Sequence, residues 1–273
     1  MKSLLILFVF ATAIFAAVTD EPVEDRKVKD ALLKFAEAQL DAGRTVKLDA
    51  LRAQLSRRRC QVELPKIGTQ SEPLPIAAPK VRKAVAAIGG LYKCKKCTSW
   101  HVSAATGFFI SADGVLVTNH HVVASTDKET LVVLAGDGRM AVVTEVLAAD
   151  PIADIAILRC SGNGFSALPL SADAPAGTPV GVWSHPDSHF FTLSAGIVSR
   201  RFLVRKPGGS AEGLAITADY ARGSSGGPVF DDRGNVVAMV ANTDSVYYTE
   251  ESGQQKNLQM VFKNCVSARS ILA

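Results

Sequence analysis

Beyond its first seventeen residues, this 273-residue chain has no apolar run long enough to cross a bilayer, which takes about 20 residues. No repeat of fixed period stands out, which argues against solenoids and propellers. Aromatic residues make up only 7% of the chain and few sit among its lysines and arginines, so no nucleic-acid partner is expected. Charge of one sign is also lacking, since the net charge is +4. The balance hides an asymmetry: residues 1–100 sum to +8 and residues 101–273 to −4, read here as a solvated basic segment followed by a more acidic half. What is present is apolar material. At 48% hydrophobic and 21% charged residues, the chain is neither a disordered tail nor a collagen-like rod.

The N-terminus is the exception to the missing apolar runs. Met1-Lys2 precedes a nearly unbroken apolar stretch from Leu4 to Ala17, then Asp20 and Glu21. A basic start, a short apolar run and small residues at its end predict a secretory signal peptide over residues 1–17. The expectation is a secreted or periplasmic protein with no stable membrane anchor. Export permits disulfides, but the five cysteines (Cys60, Cys94, Cys97, Cys160 and Cys265) are odd in number. A structural disulfide of unspecified connectivity is expected. Cys94 and Cys97 have redox-motif spacing without a surrounding strand-helix unit, and His101 stands nearby. With no second Cys pair to complete four ligands, no metal is expected there.

Residues 18–60 read as a helical segment: Val28, Leu32, Phe35 and Leu40, then Leu48, Leu51 and Leu55, recur at helical spacing, with Gly43 as a stop between them. Its role stays open between a propeptide, an oligomerisation hairpin and a clamp on the domain that follows. Pro65, Pro73, Pro75 and Pro79 predict an extended linker over residues 61–80. From Val81 to the end, short apolar runs alternate with turn signals such as Asp113-Gly114, Asp137-Gly138 and Asp232-Arg233-Gly234-Asn235. That cadence predicts an all-β barrel or sandwich, with its clearest hairpin from Phe108 to Val117.

Three signals within this β-rich part carry chemistry. His120-His121 close an apolar strand, Asp150 and Asp154 flank the entrance of another, and Gly223-Ser224-Ser225-Gly226-Gly227 surrounds serines with glycines. A serine hydroxyl is a weak nucleophile at neutral pH and needs a base to take its proton. An imidazole is that base, and a carboxylate fixes its tautomer and stabilises the imidazolium. Glycines let backbone N–H groups converge on a developing oxyanion. Each signal is weak alone; the order His, Asp, Ser makes them a set.

The segments Gly107–Gly114, Thr118–Val123, Asp154–Leu158 and Gly223–Val229 resemble trypsin-like serine peptidases, closest to the HtrA-type group. Val180–Pro186 and Ser194–Ser199 resemble that branch as well. The resemblance covers residues 81–272, within a peptidase domain expected over residues 81–273, and implies two packed six-stranded β-barrels with the active site between them. It implies His121 as general base rather than His120, Asp154 as the orienting carboxylate with Asp150 as a turn residue, and Ser225 as nucleophile rather than Ser224. The oxyanion hole would be the N–H groups of Gly223 and Ser225. A PDZ domain usually follows in this group, but fewer than fifty residues lie after Ser225, so none is expected. Ser224 replaces the Asp of animal trypsins, which speaks against activation by N-terminal insertion.

For the substrate pocket, the resemblance points to Asp219 at its base, which would select Arg or Lys, and to Thr243 near a position where trypsins need Gly. The other reading of Asp219 is a strand or turn residue. His185 and His189, in a loop with Ser184 and Asp187, are read as solvated, the alternative being an approach to the pocket. The implied activity is hydrolysis of peptide bonds in proteins through an acyl-enzyme, with no cofactor or metal. Protein or peptide substrates are the expected partners, and a homo-oligomer stays open. The competing reading is a chaperone-like or latent binding protein with little turnover.

Overall fold

The structure, a computed structural model, describes residues 22–273 except Lys95, Ser252 and Gly253. The expected signal segment, residues 1–17, lies outside the described residues. Among the described residues, no helix is long and apolar enough to cross a membrane.

Three helices come first: α1 (Asp25–Asp41), α2 (Leu48–Ala53) with a 3-10 turn after it (Gln54–Ser56), and α3 (Leu74–Arg82). Six strands follow: β1 (Val85–Lys93), β2 (Trp100–Phe109), β3 (Val115–Thr118), β4 (Thr130–Ala135), β5 (Met140–Asp150) and β6 (Ile155–Cys160). The short helix α4 (His120–Ala124) lies between β3 and β4. They close into a barrel in the order β1-β2-β3-β6-β5-β4. A second barrel closes in the order β10-β11-β12-β9-β8-β7. Its strands are β7 (Pro179–Ser184), β8 (Thr192–Lys206), β9 (Gly209–Ile216), β10 (Pro228–Phe230), β11 (Val236–Glu251) and β12 (Gln254–Ser267). A last helix, α5 (Ala268–Leu272), ends the chain. The all-β fold with two six-stranded barrels and a helical N-terminal segment is as the sequence predicts.

The apolar runs of the first barrel are continuous rather than alternating because both strand faces are covered. On β3, Leu116 points into the barrel with Phe109 and Leu158, while Val115 and Val117 point into the seam between barrels with Phe108, Trp183 and Phe230. The predicted hairpin is present, with Phe108 opposite Val117 and Phe109 opposite Leu116. Its Phe109 ring stacks on Phe165 at 4.2 Å between centroids, closing one end of the barrel.

The helical segment is built into this first barrel. Leu48 and Leu51 are 1% and 0% exposed and belong to the same cluster as Leu116, Val143 and Leu158. α1 lays Leu32 and Ala36 against Ala87, Leu91, Val102 and Val132 on the barrel's outside. It ends where expected: Gly43, at φ +64°, takes the left-handed turn that releases the chain from the helix. Polar bonds fix the segment further. The Leu48 N–H donates to Glu129 O at 2.7 Å, Ala149 N–H to Arg57 O at 2.8 Å, and Val146 N–H to the Gln54 side-chain oxygen at 2.8 Å.

The predicted extended linker over 61–80 holds only as far as Pro73, because α3 begins at Leu74. Pro75 stands in the first turn of that helix, where its missing N–H leaves no bond unmade. Ala77, Ala78 and Val81 then bury themselves in the seam, and Ala78 O accepts from Trp183 Nε1 at 2.8 Å. Apolar burial and that bond outweigh the local signal of the prolines. The expected disulfide is not formed, since all five cysteines are free thiols. Cys160 and Cys265 are instead packed in separate barrel cores, and burial pushes each thiol up to about 12.

Candidate active site

β3 ends at Thr118, and the chain turns directly into the short helix α4 with His121 on its exposed side. Asp154 lies in the turn between β5 and β6, at φ +60°. Its carboxylate receives two bonds from one residue. His121 N–H donates to Oδ1 at 3.0 Å, and Nδ1 lies 2.8 Å from Oδ2. Nδ1 therefore carries the proton, and Nε2 is left as an acceptor. The Asp154 carbonyl is held by His120 N–H and by Asn119 Nδ2, both at 3.1 Å, which fixes the turn. Burial lowers the His120 imidazole below the ordinary range, although the Asp154 and Asp150 charges pull the other way. Asp150 caps the turn instead, accepting from Ile152 N–H at 2.7 Å and Ala153 N–H at 3.2 Å.

The glycine-flanked serines lie across the seam, in the loop before β10. Ser224 is fully buried, with its hydroxyl turned back toward Ala221 N–H. Ser225 is half-buried, and its Oγ donates to Ala241 O at 3.5 Å rather than to His121. Among the described residues, neither Gly223 N–H nor Ser225 N–H has an acceptor, whereas Ser224, Gly226 and Gly227 N–H groups are all bonded. The loop that carries the Ser225 hydroxyl thus also carries two unpartnered donors.

What holds this loop was not read from the sequence. Thr106 on β2 donates from Oγ1 to Gly223 O at 2.8 Å, and its N–H donates to Ser225 O at 2.9 Å. Thr118 Oγ1 in turn donates to Thr106 O at 2.8 Å. Two buried threonines of the first barrel therefore position the serine loop of the second. Gly226, at φ +87°, makes the contact close: a Cβ there would stand 2.0 Å from Thr106 O and 2.4 Å from Thr118 Oγ1. A threonine in an apolar strand carries no local mark of such a role. Only the pairing across the seam reveals it.

His185 corrects an expectation. It is completely buried rather than solvated, beneath the same loop. Its N–H donates to Thr106 Oγ1 at 3.2 Å, and its Nδ1 accepts from Phe191 N–H at 2.9 Å. Burial, reinforced by the Arg82 charge and partly offset by the Ala86 and Ser184 backbone, pushes the imidazole down to about 3. The unfolded chain therefore takes up this proton first as pH falls. The associated stability is complete above about pH 6.5 and is lost progressively toward pH 3. Between pH 7 and pH 5 the wild type should lose about 2 kcal/mol through this group. His185→Asn keeps an acceptor toward Phe191 N–H but cannot titrate, so its urea-unfolding free energy should fall less over that interval. Equal slopes for the two proteins would sink this assignment. His189, by contrast, is exposed as expected.

The two pocket residues are placed differently from a buried specificity site. The Asp219 side chain is 89% exposed and pairs with Lys263 Nζ at 3.3 Å. Thr243 is exposed on β11, opposite Lys263 of β12. An exposed carboxylate in an ion pair is not the buried, unpaired charge that would select Arg or Lys. Asp219 lies in the irregular stretch after β9, outside any strand or turn.

The comparisons with known proteins agree with this architecture. Residues 105–239 match the trypsin-like peptidase domain. The mitochondrial serine protease HTRA2 of Bos taurus is 37% identical over 145 residues, covering 50% of this chain and 31% of that protein. A probable periplasmic serine endoprotease, DegP-like, of Pseudomonas fluorescens is 34% identical over 153 residues, covering 55% and 31%. The chain thus spans less than a third of the length of these curated relatives. Among solved structures, the HtrA-type protease AlgW with a decapeptide superposes with a TM-score of 0.56 at 20% identity, over 72% of this chain and 64% of that one. The active form of the Rv3671c protease from M. tuberculosis gives 0.55 at 24% identity, over 78% and 90%. The trypsin-like, HtrA-type resemblance read from the sequence is upheld.

Proposed function

We propose that this chain, with its trypsin-like domain of HtrA type, is an exported serine endopeptidase in which His121, Asp154 and Ser225 form the catalytic triad. The observation that carries the reading is the pair of hydrogen bonds from His121 to Asp154, which leaves Nε2 free as an acceptor while Ser225 and two unpartnered N–H groups lie in the second barrel's loop.

In this mechanism Ser225 Oγ attacks the scissile carbonyl carbon as its proton passes to His121 Nε2. The carbonyl oxygen becomes an oxyanion and accepts from Gly223 and Ser225 N–H, a donation typically worth about 10²- to 10³-fold in rate per donor. Asp154 stabilises the imidazolium. The proton then goes to the leaving amine, the C–N bond breaks, and an ester to Ser225 remains. Water, deprotonated by the same imidazole, cleaves that ester and restores the serine. Asp154 shares a groove with Phe202, Val204, Ala241 and Asn242, which reaches the middle of β11 and offers a partly apolar seat for an extended peptide. The name of the DegP-like relative supports a periplasmic setting, and the names of both relatives support protein substrates.

The test is labelling with a fluorophosphonate, with the modified peptide located by mass spectrometry. Ser225 should be labelled in the wild type and unlabelled in His121→Ala. A folded wild type that takes no label would overturn an assembled site. It would favour the second reading, a latent peptidase-fold binding protein, for which the bond of Ser225 Oγ to Ala241 O is the supporting observation. Under that reading, an unfolded client is protected equally by wild type and Ser225→Ala.

A further inference from the structure

The tip of the β1–β2 hairpin brings together three side chains that the proposed reaction does not use. The register pairs Lys93 with Trp100 and Tyr92 with His101, so Cys94 and Cys97 fall in the connection and His101 on the first residues of β2. Cys94 Sγ lies 2.9 Å from Cys97 Sγ, and Cys97 Sγ lies 3.0 Å from His101 Nε2. All three ligating atoms lie within 4.8 Å of one another. The His101 ring is steadied by Tyr92, with centroids 5.6 Å apart, and the Lys93 ammonium rests over the Trp100 ring at 4.5 Å.

We propose that Cys94, Cys97 and His101 form a zinc-binding site at this hairpin tip, with the fourth position taken by water. The donor set decides the class of ion. Two thiolates and an imidazole suit a borderline-soft cation such as Zn²⁺ and do not suit Mg²⁺ or Ca²⁺, which demand oxygen ligands. Three protein ligands with an open fourth position is an established zinc arrangement, so the missing second cysteine pair is no obstacle. Tetrahedral coordination with Zn–S near 2.3 Å places the two sulfurs roughly 3.7 Å apart. The two sulfurs have to move apart by less than about 1 Å, and Cys97 is exposed.

On binding, each thiol exchanges its S–H bond for S–Zn and releases its proton to solvent, with no oxidant or reductant required. The bound site is then neutral: two thiolate charges cancel the ion. The ion would join the end of β1 to the start of β2, the strand that further along carries Thr106.

The experiment uses the reduced, metal-free full chain titrated with ZnCl₂ against a chromophoric chelator, and with CoCl₂ as a spectroscopic substitute. One equivalent should bind, and Co²⁺ should give a thiolate charge-transfer band with visible bands of tetrahedral intensity. Cys97→Ser should weaken Zn²⁺ binding at least about 100-fold and His101→Ala about 10-fold or more, the range expected when a ligand or its support is lost. On the wild type, without any variant, Zn²⁺ should protect Cys94 and Cys97 from alkylation while Cys60 remains unaffected. Binding unchanged in the Cys94→Ser/Cys97→Ser double variant, or absent in the wild type, would overturn the site. So would a Cys94–Cys97 disulfide in protein purified without reductant that resists exchange for Zn²⁺.

Discussion

Asp154→Asn lowers kcat by about 10⁴-fold while the unfolding midpoint stays within a few degrees of the wild type, the size taken from the equivalent substitution in a Ser-His-Asp protease. The amide is nearly isosteric. Its oxygen still accepts from His121 N–H, and asparagine tolerates the left-handed φ of +60° that this position holds. What changes is the group facing Nδ1. An amide NH₂ there donates instead of accepting, so the imidazole turns its lone pair toward residue 154 and presents N–H to the serine. The base is then in the wrong tautomer. Steady-state cleavage of an unfolded protein substrate, read beside circular-dichroism melting, checks both halves. Activity within tenfold of the wild type would remove Asp154 from the mechanism. Loss of activity together with loss of the fold would make the residue structural.

Starting the chain at residue 61 abolishes cooperative folding rather than releasing activity. Removing residues 22–60 uncovers the barrel surface under Leu32, Leu48 and Leu51 and leaves Glu129 O and Val146 N–H without the partners they now have. The milder Leu51→Ala already costs about 3 kcal/mol, as for a fully buried leucine in a cluster that closes only partly over the gap. Urea unfolding followed by tryptophan fluorescence measures this, and size-exclusion chromatography shows whether the truncated chain aggregates. A truncated protein that melts like the full chain and cleaves faster would make the segment an inhibitory propeptide. The buried leucines argue for the clamp among the three roles its sequence left open.

What was legible locally was also legible in the sequence. The Phe108–Val117 hairpin, the two amphipathic helices and the sequential order of the histidine, aspartate and glycine-flanked serines all rest on patterns within a few residues. The rest depends on contacts between distant segments. Thr106 and Thr118 are polar interruptions in apolar strands until the second barrel's loop arrives above them. His185 reads as solvated beside Ser184 and Asp187, and its burial comes from Phe190 and Phe191 closing over it, with ring centroids at 5.5 and 4.8 Å. The prolines at 75 and 79 announce an irregular stretch, yet the seam beneath Ala78 and Trp183 holds them in a helix. Asp219 stands at a spacing that suggests a pocket, and only the strand carrying Lys263 shows its charge already paired.

The division of the proposed site between two barrels sets an order in time. As the chain is made, the base and its carboxylate are in place as soon as the first barrel closes, while the hydroxyl they would activate is still untranslated. The loop bearing Ser225 then has its anchoring threonines waiting in an already folded partner. Until the second barrel docks, the two free N–H groups have no fixed direction, so no nascent or half-folded molecule can cut its neighbours. Hydrolytic capacity would arrive as a single late event, timed by assembly of the seam.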